Sequence, residues 1–219
     1  MKNLEVRREK ISGFEIPYTL PTLDRREIGK SKELYDFKKI FGNNNPLILE
    51  IGCGKGQFAC TYAKRHPGKN IIGVECSAGV LVSACEKAKS SEIPNIRFWG
   101  IKAEYLPCFI KEHSVEEIYL NFSTPFPKAK YEKHRLTHPD YLAIYKKLLT
   151  PNGFIAQKTD SQALFEYSLE SFSQNGFRLS EISLDLHKSD VKENIVTEYE
   201  QKFTEMGMPI YRLVAHINA

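Results

Sequence analysis

Apolar positions along the chain fall into two alternating patterns. Short continuous runs fit buried strands, and the stretches between them carry helical spacing. LILEI (47–51), IIGVE (71–75), IRFWG (96–100) and EEIYLNF (116–122) read as the first four strands. GFIAQKT (153–159), FRLSEISL (177–184) and YRLVAHI (211–217) complete the set. Helices are expected over 57–65, 79–89, 139–149 and 164–174, with a Pro-Asn-Gly turn (151–153) separating the third helix from the fifth strand. Strand and helix alternating at this pitch predict a mostly parallel sheet covered on both faces. Residues 1–30 are polar, basic and without period, so they read as an arm. Residues 31–219 then form a single domain.

Composition narrows this further. A chain of 219 residues fits one domain with a large core. Thirteen Phe and eleven Tyr exclude a disordered chain. No apolar run approaches the roughly 18 residues of a membrane span. The first residues, MKNLEVRREKISGFEIP, mix charges and lack the apolar core of a signal peptide. A cytoplasmic protein with no membrane partner is expected. The five cysteines (53, 60, 76, 85 and 108) are odd in number and none forms a C-x-x-C pair. That argues against a disulfide framework and against zinc, so no metal is expected.

The formal charge is only +4, but its location is informative. Between Asn121 and Lys147 stand six bases (Lys128, Lys130, Lys133, Arg135, Lys146, Lys147) and two acids (Glu132, Asp140). This one segment holds the whole surplus, with His134 and His138 beside it. A solvated loop is the usual meaning of a charge run. One that carries the entire excess is a stronger phosphate-binding candidate.

A second candidate site follows the first strand. Gly52-Cys53-Gly54-Lys55-Gly56 joins that strand to a helix, so a ligand can approach the backbone closely near a helix N-terminus. The form is G-x-G-x-G, not the G-x-G-x-x-G of dinucleotide binders. Glu50 ends the first strand and Glu75 the second, where an acid that binds ribose belongs. A carboxylate at Glu50 would repel a pyrophosphate. It suits a cofactor with an ammonium group and no phosphate, which describes S-adenosylmethionine. A plain tight turn and NAD binding are the weaker alternatives.

After the fourth strand the chain runs Asn121-Phe122-Ser123-Thr124-Pro125-Phe126-Pro127-Lys128, then AKYEKHRLTHPDYL. Here it resembles the bacterial tRNA (guanine-N7-)-methyltransferase family, whose pattern is close to N-F-S/P-D-P-W-P-K followed by a basic run. The resemblance continues through IAQKTDSQALFEYSLESF (155–172) and TEYEQKFTEMGMPIYRL (197–213). It implies a Rossmann-like class I methyltransferase fold with seven strands, the last antiparallel. The implied reaction moves a methyl group from S-adenosylmethionine to N7 of a guanosine in the tRNA variable loop. By position, Glu50, Gly52, Gly54, Gly56, Glu75, Lys102, Ala103 and Thr124 would contact the cofactor, with Thr124 at the catalytic position. Lys128, Asp160, Thr197 and Glu200 would hold the substrate, and the run that includes Lys130, Lys133, His134 and Arg135 would contact RNA. Helix capping is the plainer reading of Asp160 and of the Thr197/Glu200 pair.

The chemistry is compatible with this reading. Guanine N7 carries a lone pair and no proton, so its methylation requires no general base. It requires alignment and stabilisation of the charge that develops on the purine. The chain departs from the family pattern at Thr124 and Lys102, both aspartates in the family, at Phe126 (Trp), and at Tyr131 and His134 in the basic run. Threonine cannot stabilise a forming cation, so slowed catalysis is expected. Two alternatives remain open: a catalytically weakened tRNA-binding protein on the same fold, and a methyltransferase for another RNA nucleophile. A monomer and a homodimer are equally compatible with the sequence.

Overall fold

The computed structural model describes residues 13–14, 34–191 and 193–217. The proposed arm lies outside these, apart from Gly13 and Phe14. All seven expected strands form, in one sheet of order β3-β2-β1-β4-β5-β7-β6. They are β1 (Leu47–Ile51), β2 (Asn70–Val74), β3 (Ile96–Trp99), β4 (Val115–Asn121), β5 (Leu149–Thr159), β6 (Phe177–Ser183) and β7 (Tyr211–Ile217). The pairs among β1 to β5 are parallel. β7 runs antiparallel to both β5 and β6, as the resemblance implies.

Among the described residues six helices accompany the strands: α1 (Phe37–Phe41), α2 (Gln57–Arg65), α3 (Ala78–Ser90), α4 (Pro139–Leu148), α5 (Gln162–Gln174) and α6 (Glu198–Glu205). Short 3-10 turns lie at Ala103–Cys108, Ala129–His134 and Leu186–Lys188. Alternation along the strands divides the core in two. Ile48, Ile71 and Phe98 face α2 and α3. Leu49, Ile72, Trp99 and Ile118 face the other way, against Tyr145 of α4 and Phe165 and Phe172 of α5. Both faces are therefore mainly apolar, which is why β1 and β2 read as mostly apolar runs.

Two boundaries differ for local reasons, and α6 is a helix that the apolar pattern does not predict. The Pro-Asn-Gly turn does not precede β5 but sits inside it. Val115 pairs with Leu149 and Glu117 with Phe154, so the extra residues are absorbed as an irregularity. α5 starts at Gln162 because Ser161 caps it, its hydroxyl accepting from Leu164 N–H at 3.3 Å. Asp160 is not the cap. α6 starts at Glu198 because the Thr197 hydroxyl accepts from Glu200 N–H at 3.0 Å.

Gly56 explains how the first turn meets the sheet. It lies at φ 72°, and a Cβ there would sit 2.9 Å from both Ala84 and Phe98. Its role in this structure is close packing of helix and strand, since it does not line the cavity described below. Gly56→Ala is therefore expected to lower the unfolding free energy by about 2–4 kcal/mol, from overpacking and the left-handed backbone together. Urea denaturation of the two proteins checks this.

Candidate functional site

The carboxyl ends of β1 to β4 and the start of α6 enclose a cavity of about 930 Å3. This is where an open α/β sheet binds ligands. The structure brings Glu50, Gly52, Gly54, Glu75, Lys102, Ala103, Thr124, His134 and Thr197 together in its wall.

Glu50 is 2% exposed and stands at the root of the cavity. Its Oε2 accepts from Ala59 N–H at 3.1 Å, and its Oε1 accepts from the Asn121 amide at 3.0 Å. Ala59 N–H belongs to the first turn of α2, which has no side-chain cap because Gly56 fills that position. Glu50 thus caps the helix from a neighbouring strand. Burial raises its carboxyl from 4.5 to about 7, against the opposing pull of Asn121, Ala59 N–H and Lys158. Glu75 is more open. It accepts from Gly54 N–H at 3.2 Å and from Ser77 N–H at 2.8 Å, pinning the glycine turn to the end of β2.

Acceptors dominate this end of the cavity. Beside the two carboxylates, the Gln57 Oε1 atom is buried with no hydrogen-bond partner among the described residues. Such a set fits a cationic, donor-rich group such as an ammonium, and would repel a pyrophosphate. The site therefore fits the amino-acid end of S-adenosylmethionine better than NAD.

The loop after β4 forms the opposite wall. Phe122 and Phe126 both adopt left-handed backbone, at φ 51° and 43°. Such conformations are strained and persist only where the surroundings enforce them. The Phe122 ring lies 6.3 Å from that of Tyr199 and 6.1 Å from that of Phe203, all within 23° of parallel. The Phe126 carbonyl accepts from Arg135 Nε at 3.3 Å and Nη2 at 3.1 Å, and the same guanidinium stacks on the Tyr167 ring. Arg135 is thus turned inward to hold the loop. Lys128, Lys130 and Lys133 stay exposed on or beside the 129–134 turn, outside the cavity. Thr124 is exposed in the wall, and Asp160 is half-buried just beyond β5.

Glu200 is not in the cavity wall. It is 0% exposed, and its carboxylate accepts from Lys158 Nζ at 2.6 Å, from the Asn194 amide, and from His187 Nε2 at 3.1 Å. Lys158 also donates to Asn194 Oδ1 and to the Ile195 carbonyl, at 2.9 and 2.8 Å. Burial pulls the Lys158 ammonium below its usual range in spite of Glu200. The capping box expected at Thr197 is therefore half formed. The hydroxyl caps, but the glutamate reaches for a lysine instead of the Thr197 N–H. Sequence reasoning missed Asn121, Lys158 and Tyr199. Asn121 had a signal, since it opens the loop motif at the end of a strand neighbouring β1.

The strand order, the reversed β7 and a glycine turn framed by two carboxylates define a class I methyltransferase. The solved 16S rRNA methyltransferase KamB shares the fold at a TM-score of 0.63, with 16% identity over 85% of this chain and 95% of its own. A SAM-dependent methyltransferase from Aquifex aeolicus does so at 0.58, with 13% identity over 96% and 98%. The profile of a family described as "Putative methyltransferase" matches residues 44–213. A tRNA (guanine-N(7)-)-methyltransferase from Geobacillus thermodenitrificans is 45% identical over 98% of this chain and 96% of its own length. One from Listeria innocua is 50% identical over 82% and 86%. The chain belongs to the tRNA (guanine-N(7)-)-methyltransferase family. No helix among the described residues is long and apolar enough to cross a membrane.

The Lys158–Glu200 pair is an internal strut joining β5 to α6. Lys158→Met would leave a buried carboxylate without its cation, with an expected loss of about 3–5 kcal/mol. Adding Glu200→Leu should recover most of it. Denaturant unfolding of the single and double variants measures both.

Proposed function

We propose that this protein transfers a methyl group from S-adenosylmethionine to N7 of a guanosine in the variable loop of tRNA. The observation that carries the reading is the pairing of Glu50 and Glu75 at adjacent strand ends, in a chain of this family. Glu50 would hold the cofactor's ammonium and Glu75 its ribose hydroxyls. Gly52 and Gly54 leave the backbone open to it, and Lys102 and Ala103 lie at the adenine end. Bound there, the cofactor supplies a methyl group on a sulfonium, which the N7 lone pair displaces directly.

The chain's own work is placement. Thr124 reaches the cavity from the loop after β4 and would contact the base near the reacting atom. Thr197 would meet the base from the side of α6, and Lys128 and Asp160 would hold the nucleotide from the cavity rim. Glu200 supports this wall from behind, through Lys158. The exposed Lys130 and Lys133, with His134 at the mouth, would follow the RNA backbone, so affinity should fall steeply with salt. The weakened tRNA-binding reading is favoured by one feature, Thr124 in place of the family's Asp.

One assay separates the two. Purified protein is incubated with unmodified tRNA and labelled S-adenosylmethionine, and the product nucleoside is identified after digestion. 7-Methylguanosine is expected, and Thr124→Asp should raise the rate by roughly 10²–10³, the usual worth of one preorganised electrostatic contact. Absence of product from both proteins, with both ligands bound, would leave the binding reading.

Glu50 gives a second test. An ammonium favours the ionised carboxylate, so below pH 7 a proton must leave before the cofactor is held. Affinity should therefore rise roughly tenfold between pH 6 and 8, flattening above Glu50's shifted pKa, with proton release at the acid end. Glu50→Gln should remove both the step and the proton release. Calorimetry in buffers of different ionisation enthalpy reads both.

A further inference from the structure

Methylation of guanine N7 moves a charge as well as a methyl group. The N7 lone pair forms the new bond to the methyl carbon, the S–C bonding pair stays on sulfur, and no proton is exchanged. Positive charge therefore leaves the sulfonium and arrives on the purine rings. Where the family pattern has an aspartate to meet it, this chain has Thr124. The cavity wall offers a different kind of acceptor.

Several rings line that wall, and most are already engaged. Phe58 is buried with Lys158 Nζ 5.8 Å from its centroid, and Tyr131 carries Lys130 Nζ at 4.9 Å. Tyr141 stacks on Tyr145, and the Phe126 and His134 rings lie 5.6 Å apart. Tyr199, in the first turn of α6, is 58% exposed, and no cation among the described residues lies over its ring. Phe122 and Phe203 brace it from 6.3 and 6.4 Å, and Phe203, outside the cavity, already carries Lys202 Nζ at 5.6 Å. Strained backbone of the kind seen at Phe122 gathers at ligand clamps. Phe122 stands two residues before Thr124, and Tyr199 two residues after Thr197. The braced, open ring thus lies with the two residues assigned above to the base.

We propose that Tyr199 stacks on the target guanine and that its ring face stabilises the positive charge arriving on the purine. The inference rests on the N7 reading above and adds a catalytic residue to it. An aromatic face carries negative density and attracts a cation placed over it. Neutral guanine gains only the stacking, whereas the base being methylated gains both. The contact therefore strengthens as the reaction proceeds, which is the condition for raising kcat and not merely lowering KM.

An equilibrium measurement and a rate test this. Protein saturated with S-adenosylhomocysteine, which has no methyl group to collide with the modified base, is titrated with tRNA carrying guanosine or 7-methylguanosine at the target position. The wild-type protein should bind the methylated tRNA roughly five- to tenfold more tightly. Tyr199→Leu should bring the two affinities to within about twofold, and Tyr199→Phe should keep the preference, because the ring face and not the hydroxyl supplies it. Single-turnover methyl transfer at saturating substrates should follow the same order, with Tyr199→Leu about tenfold slower and Tyr199→Phe within about twofold of wild type. Tyr199 is exposed, so circular dichroism, melting and S-adenosylhomocysteine affinity should be unchanged in both variants.

A preference for methylated tRNA that survives Tyr199→Leu overturns the assignment. So does a loss on Tyr199→Phe as large as that on Tyr199→Leu. Equal weakening of both tRNAs by Tyr199→Leu, with an unchanged rate at saturation, reduces Tyr199 to a packing ring and overturns it too. Equal wild-type affinity for the two tRNAs does the same, and leaves the N7 reading intact where 7-methylguanosine is still formed. Wild-type protein that forms no 7-methylguanosine overturns that reading and this inference with it.

Discussion

A buried carboxylate must find partners or give up its charge, and Glu50 shows how the cavity is built around that constraint. The side chain rises from β1 onto the face where α2 packs. It satisfies a free N–H of the first turn of α2 and takes the Asn121 amide from the end of β4. Helix, strand and loop are thus brought to fixed heights around one group. The glycine turn between Glu50 and α2 has to be short and close to the sheet for Ala59 to reach it. Gly56, packed between Ala84 and Phe98, makes that approach sterically open.

The same logic repeats on the far side with opposite sign. Lys158 is a buried ammonium, and Asn194, Ile195 and Glu200 supply its acceptors. Thr197 and Tyr199 reach the cavity because Glu200, in the same helical turn, is anchored inward. The two buried charges also act on each other, since the Lys158 ammonium draws Glu50 toward ionisation. Two walls of the cavity thus share an electrostatic spine, although Glu50 and Lys158 lie over a hundred residues apart.

The centre of the sheet was legible in the sequence because β1 and β2 are buried on both faces and so are written as mostly apolar runs. The glycine turn and its two acids were legible because chain order carries them: strand, turn, helix, strand. What could not be read was side-chain direction. Glu200 sits in a motif with Thr197, yet it points the other way, toward a lysine forty-two positions earlier. Arg135 belongs to a run of bases but turns in to the Phe126 carbonyl, while Lys130 and Lys133 stay out. Spacing places residues on an element. Which of them face a ligand depends on partners brought by the fold, and no local pattern encodes those. α6 was missed for a related reason, since its apolar face is short and its start is marked by one hydroxyl.

The Phe126 carbonyl gives the loop after β4 a mechanical property. Its two donors both come from Arg135, which closes the turn carrying Lys130 and Lys133. Phe126 and Phe122 stand in backbone conformations that relax unless held. The outward lysines and the inward aromatic rings are therefore two ends of one lever, with the guanidinium as its fulcrum. A load applied to the turn from outside, such as a polyanion drawing on its lysines, is carried through Arg135 to the residues on either side of Thr124. The outer surface of the protein and one wall of its cavity are joined through a single side chain.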